Sequence, residues 1–172
     1  MSTLVADASA LVSLGIVADA DSDPLALCLQ RYEVVIPTAV LDELREIASY
    51  DDDHGRAASA VLDRTDAFDT RSVDLDAEFP LDDGENAAVT LANDLDATLF
   101  LCDEFNQLGL IHASLADTRL VTTPTLLSVL VQSGDLSATT ANGLLDEISD
   151  AQSWDANSYV QRARSLLEDP DS

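Results

Sequence analysis

Short apolar runs and stripes of helical period alternate along this chain. Leu4-Val5-Ala6 is apolar on both faces and closes on Asp7, which predicts a short buried strand. Ser9 is placed to cap a helix over Ala10 to Leu14. Pro24 to Gln30 predicts a second helix, and the β-branched run Glu33-Val34-Val35-Ile36 the next strand. Pro37-Thr38 stops that strand and opens a helix from about Ala39 to Ser49. Asp51-Asp52-Asp53 reads as a loop and cap before a helix from about Gly55 to Arg64, and Thr70 to Leu75 as a short strand. Asp82-Asp83-Gly84 opens a helix from Glu85 to Asp94. A strand over Thr98 to Cys102, another over Leu120-Val121-Thr122, and a helix from Pro124 to about Ser133 follow. Two further helices, near Ser137 to Ser149 and Asp155 to Glu168, complete the pattern.

Strands that are apolar on both faces and alternate with helices predict a parallel sheet covered on each side. The expected fold is therefore α/β, a three-layer α/β/α sandwich with a central parallel sheet, plus C-terminal helices. At 172 residues one domain is expected: a core over 1–135 and a helical extension over 136–172 packed on it. In open sheets of this kind the site lies outside the carboxyl ends of the strands. Asp7 and Asp103 both occupy such ends.

Charge changes the picture. The chain carries 33 acids against 8 arginines and no lysine, a net of −25, yet 47 % of its residues are hydrophobic. That excludes a disordered acidic tail and reads as adaptation to very high salt, a solubility property rather than a fold property. Cys28 and Cys102 sit in or beside apolar stretches without metal-type spacing, so buried thiols are expected rather than a disulfide framework. With no signal-type segment and no apolar run near 18 residues, a soluble cytoplasmic protein is expected, with no membrane partner.

Four acids stand apart by position. Asp7 ends Leu4-Val5-Ala6, and Asp103 ends Leu99-Phe100-Leu101-Cys102. Ala88, Leu91, Ala92 and Leu95 form the apolar stripe of the Glu85 helix, and Glu85 falls on it; Asn86, Thr90, Asn93 and Asp94 take the opposite face. In the Ala39 helix, Glu43 borders the stripe Val40, Leu41, Leu44, Ile47 and Ala48, while Asp42 and Glu46 point away. Inward carboxylates need a partner for their charge, and a divalent cation is a natural one.

These residues resemble the ordered acidic motifs of PIN-domain ribonucleases, a family that includes VapC-type toxins. The motifs are Leu4-Val5-Ala6-Asp7-Ala8-Ser9, Val40-Leu41-Asp42-Glu43-Leu44, Asp83-Gly84-Glu85-Asn86-Ala87-Ala88 and Leu101-Cys102-Asp103-Glu104, and the similarity covers roughly residues 3–132. The resemblance implies the three-layer fold with a parallel sheet and metal-dependent hydrolysis of RNA phosphodiesters by an endoribonuclease. Asp7, Glu43, Glu85 and Asp103 would be its catalytic, metal-binding acids. Glu104 would be an accessory acid, and Ser9 a polar contact to metal-bound water or phosphate. Mg²⁺ or Mn²⁺ would be the cofactor, RNA the substrate, and an antitoxin protein or a second copy of the chain the possible partners. Many relatives carry an arginine just after the fourth motif, where this chain has Phe105-Asn106-Gln107.

Hard oxygen ligands suit Mg²⁺ or Mn²⁺, which acidify water and accept phosphate oxygens. No His or Cys nucleophile is required, and His54 and His112 read as ordinary residues. The alternative is a catalytically weak or inactive PIN-like module that binds a protein, since RNA binders normally neutralise phosphates with Lys and Arg. A receiver-type phosphotransfer domain is disfavoured because it would want a lysine. An Asp-x-Asp phosphatase is disfavoured because Asp7-Ala8-Ser9 lacks the second acid.

Overall fold

Leu4, Val5 and Ala6 are completely removed from solvent, as residues apolar on both faces of a strand must be. They belong to β1 (Ser2–Ala6), the central strand of a computed structural model that describes residues 1–154 and 156–168. Beside it run β2 (Tyr32–Pro37), β3 (Asp69–Arg71), β4 (Leu99–Leu101) and β5 (Arg119–Val121). All pairings are parallel, in the order β3-β2-β1-β4-β5. The chain builds outward from β1 to β3, then crosses back to place β4 on the other side of β1. This makes β1 and β4 flank the switch point, where a crevice opens at the carboxyl ends of the strands. The register sets Ala6 against Leu101, and the Asp7 amide donates to the Leu101 carbonyl at 2.9 Å.

Helices cover both faces, completing the three-layer α/β sandwich. They are α1 (Ala8–Ile16), α2 (Pro24–Arg31), α3 (Thr38–Ala48), α4 (Asp53–Leu62), α5 (Asp83–Leu95), α6 (Leu108–Ser114), α7 (Thr123–Gln132), α8 (Ala138–Gln152) and α9 (Ser158–Glu168). α4 packs between α1 and α3, so closely that a Cβ on Gly15 of α1 would strike the Ala57 carbonyl. α3 in turn packs on α5, while α7, α8 and α9 pack together and α8 reaches α1. Among the described residues no helix is long and apolar enough to cross a membrane, and both cysteines are buried free thiols.

The structure differs from the sequence expectation in several places. β3 stops at Arg71 instead of reaching Leu75, because its partner β2 ends at Pro37, which lacks the N–H a longer ladder would need. α6 forms around His112, a stretch expected to be helical but without stated bounds. α1 begins at Ala8, with Asp7 in the capping position, so Ser9 lies inside its first turn. Asn86 is buried rather than solvent-facing, since its Nδ2 donates to the Asp76 carbonyl at 2.7 Å and its Oδ1 accepts from the Asp76 amide at 2.9 Å. Those two bonds close the irregular segment after β3 onto α5. Asp155, the expected start of the last helix, and residues 169–172 lie outside the described residues.

Candidate active site

Three elements converge on the crevice between β1 and β4. Asp7 follows β1 and is only 3 % exposed. Glu85 is in the first turn of α5, a helix capped by Asp82, whose Oδ1 accepts from the Glu85 amide at 2.9 Å. Glu104 lies on the loop after β4 and is exposed. One carboxylate oxygen from each of these three lies within 4.8 Å of the others.

The first carboxylate is held from one side only. Its Oδ2 accepts from Ser9 Oγ at 3.1 Å and from the Cys102 thiol at 3.6 Å. Its Oδ1 is buried without any hydrogen-bond partner. Ser9 Oγ also accepts from the Asp103 amide at 3.1 Å, so one hydroxyl ties the end of β1 to the loop after β4. Burial, reinforced by the Asp7 carboxylate, pushes the Cys102 thiol up, so it stays a protonated donor.

Asp103 is positioned differently from Glu104. Its Oδ1 accepts from the Thr123 amide at 2.7 Å, and its Oδ2 from the Thr123 hydroxyl at 2.5 Å. It is therefore tied to the first residue of α7, where a carboxylate favours the helix dipole. Glu43 approaches from α3, half-buried, with its carboxylate packed against Gly84: a Cβ at that glycine would overlap Glu43 Oε1. Neither Glu43 nor Asp103 belongs to the three-carboxylate cluster among the described residues.

The electrostatics are those of crowded acids, only partly compensated by hydrogen bonds at Asp7 and Asp103. Burial is the largest cause at every acid. It raises Asp7 to about 6, aided by the Glu104 carboxylate. Glu43 rises to about 7 through burial and the charges of Asp7, Asp82 and Glu104. Glu85 rises to about 8 through burial, Asp82, Asp7 and Glu104. Asp103 and Glu104 are raised as well. Five carboxyls shifted upward are what crowded, partly buried acids give, and a cation among them would reverse the shift. The donor set is all hard oxygen, as Mg²⁺ and Mn²⁺ require. The orphaned buried Asp7 Oδ1 is the direct sign of fit, since a buried polar atom normally finds a partner.

Two clefts flank this cluster. One, of about 480 Å³, is lined by Ser9, Asp103, Glu104, Tyr50, His54 and Trp154 among others. The second, of about 580 Å³, is lined by Glu43, Asp82, Gly84 and again Tyr50.

A family model described as a PIN domain matches residues 3–169. The chain belongs to the PIN domain family. No curated protein and no solved structure matches it. PIN domains are generally nucleases that use divalent metals, and the acidic cluster stands where this PIN fold opens at its switch point. The match runs through α8 and α9, beyond the acidic motifs themselves.

The four expected acids thus gather at one end of the sheet, but at different depths. Of the expected set Asp7, Glu43, Glu85 and Asp103, the oxygen cluster contains Asp7 and Glu85, and it is completed by Glu104, expected only as an accessory acid. Asp82, Thr123 and Tyr50 border the site without belonging to the expected set. Asp82 alone had a signal, as the first residue of the helix-opening Asp82-Asp83-Gly84. Phe105, in the stretch after the fourth acidic motif, packs edge-on to Trp154 at 5.0 Å and stacked on Tyr159 at 5.3 Å. These contacts join the loop after β4 to the segment between α8 and α9 and to the start of α9.

Proposed function

We propose that this PIN domain is a metal-dependent endoribonuclease that hydrolyses RNA phosphodiester bonds, with Mg²⁺ or Mn²⁺ held by Asp7, Glu85 and Glu104. The observation that carries the reading is Asp7 Oδ1, buried and unpartnered, with oxygens of Glu85 and Glu104 within 4.8 Å of an Asp7 oxygen. Bound there, the ion would polarise the phosphate and make the attacking water more acidic. Ser9 and the Cys102 thiol hold Asp7 Oδ2, leaving Oδ1 for the ligand. Asp103 pins the loop carrying Glu104 to α7 through Thr123 and stands in reserve as a further ligand. Glu43, half-buried against Gly84, would be the group placed to take up the proton released by the attacking water.

The preference for RNA rests on the resemblance of the four motifs, as does a cytoplasmic role as the toxin of a toxin–antitoxin pair. Expression of the wild type would then arrest growth, and Asp7→Asn would not. A second reading, a PIN-like protein-interaction module without catalysis, is favoured by the scarcity of basic residues, eight arginines and no lysine.

Calorimetric titration of Mn²⁺ into wild type and Asp7→Asn in molar KCl, with RNA cleavage followed in the same samples, tests the proposal. Binding and cleavage that both vanish in the variant support it. No binding to either protein sinks it and leaves the interaction module.

A further inference from the structure

Arginine is the only strong cation in this chain, and six of the eight are ion-paired with carboxylates among the described residues. None lines either cleft beside the acidic cluster. Phosphate neutralisation, the usual source of nucleic-acid affinity, is therefore missing where the substrate must lie. Whatever holds a polynucleotide here has to grip its uncharged part.

The 480 Å³ cleft has the matching chemistry. Glu104 forms one end of it, so it is continuous with the cluster. Its walls are Val12, Ile47, Tyr50 and Trp154, the last being the single tryptophan of the chain. Tyr50 is 52 % exposed, so its ring is open to a ligand in the cleft. Trp154, 9 % exposed, packs edge-on against Phe105 and shows the cleft only its remaining edge. Its polar groups are already engaged: His54 Nε2 pairs with Gln152 Oε1 at 2.9 Å, and Gln152 Nε2 donates to Ser13 Oγ at 3.0 Å. Asp52 and Asp103, which also line it, would repel a phosphate.

We propose that this cleft is a nucleobase subsite, in which an unpaired base next to the scissile phosphate is sandwiched on Tyr50 beside Trp154. The inference rests on the nuclease reading above and names how that site takes its substrate: by stacking, with the phosphate left to the metal. Stacking tolerates high salt, whereas phosphate contacts are screened away.

Trp154 makes the test direct and independent of catalysis. Its fluorescence is followed while uridine, cytidine, adenosine and guanosine are titrated in turn, in molar KCl with EDTA. Saturable quenching by at least one nucleoside is expected, with the corresponding monophosphate binding more weakly until Mn²⁺ is supplied. Tyr50→Ala should weaken it about tenfold, the lower range for one stacked base, and Tyr50→Phe should retain it. Quenching that never saturates, or that Tyr50→Ala leaves unchanged, overturns the subsite; if Mn²⁺-dependent cleavage persists, the nuclease reading survives that failure. Tyr50-dependent quenching in a protein that neither binds Mn²⁺ nor cuts RNA keeps the base cleft and refutes the nuclease.

Discussion

Replacing Asp7 by asparagine should stabilise the metal-free protein while destroying its response to metal. The carboxyl is 3 % exposed and raised from 3.8 to about 6, chiefly by burial. A carboxyl whose folded value lies above its unfolded value binds more protons in the native state. Its ionisation therefore subtracts stability as pH rises, beginning near 4 and complete above about 6. At about 1.4 kcal/mol per pH unit, the penalty at pH 8 is about 3 kcal/mol. The uncharged amide of Asp7→Asn would escape it. Its oxygen can keep the bonds from Ser9 and Cys102, and its N–H can point at the neighbouring carboxylates where Oδ1 now has nothing. For a chain of this length the gain corresponds to about 6–12 °C in Tm. Thermal melts in EDTA at pH 5 and pH 8 measure it: wild type should lose stability between them, and Asp7→Asn should lose clearly less. Glu43 at about 7 and Glu85 at about 8 extend the wild-type decline to the upper end of that window. With Mn²⁺ at about a hundred times its Kd, wild type should recover about 2.7 kcal/mol and the variant nothing. A variant that melts below wild type at pH 8 in EDTA, or that gains equally from Mn²⁺, refutes this account of the orphaned oxygen.

Gly84→Ala should fold, because the new methyl meets the end of the flexible Glu43 side chain. It should displace that carboxylate, lowering the cleavage rate by about tenfold or more with Mn²⁺ affinity little changed, read by kinetics beside calorimetry. Thr123→Val removes the hydroxyl that donates to Asp103 Oδ2 and leaves a buried acceptor short of a bond, for a loss of about 1–3 kcal/mol in denaturant titration. A chain of net charge −25 should melt higher in molar KCl than in dilute buffer, as screening shortens to about 3 Å; a Tm that does not rise with KCl would contradict self-repulsion as its main weakness.

The sheet is legible in the sequence where burial is two-sided. Leu4-Val5-Ala6 and Val34-Val35-Ile36 admit no amphipathic alternative, and Pro37 marks the boundary between β2 and α3 in the letters themselves. β3 is less legible because it is an edge strand of three residues, none of them buried, so no hydrophobic pattern announces its end. The bounds of α6 are hidden for a related reason: in seven residues it buries only Leu108 and Ile111 and contains a glycine. Asn86 defeats wheel arithmetic because its environment is set by Asp76, on a segment with no periodicity of its own. A helical wheel reports a direction, but only tertiary structure says what lies that way.

The site shows the same limit at the pair Asp103-Glu104. Asp103 and Glu104 leave β4 side by side and both line the same cleft, and nothing local to them decides which joins the oxygen cluster. The decision comes from Thr123, whose amide and hydroxyl at the start of α7 claim both oxygens of Asp103 and leave Glu104 beside Asp7 and Glu85. The two acids should therefore fail in different ways. Asp103→Asn should lower Tm, because it disturbs a buried bidentate contact, while Mn²⁺ affinity changes by no more than about threefold. Glu104→Gln, at an exposed position, should leave stability within about 0.5 kcal/mol and weaken Mn²⁺ by about tenfold or more. Calorimetry and melting on the two variants separate these outcomes. The reverse pattern, with metal affinity lost at Asp103 and kept at Glu104, would make Asp103 the ligand and require the Thr123 contacts to open when the ion binds.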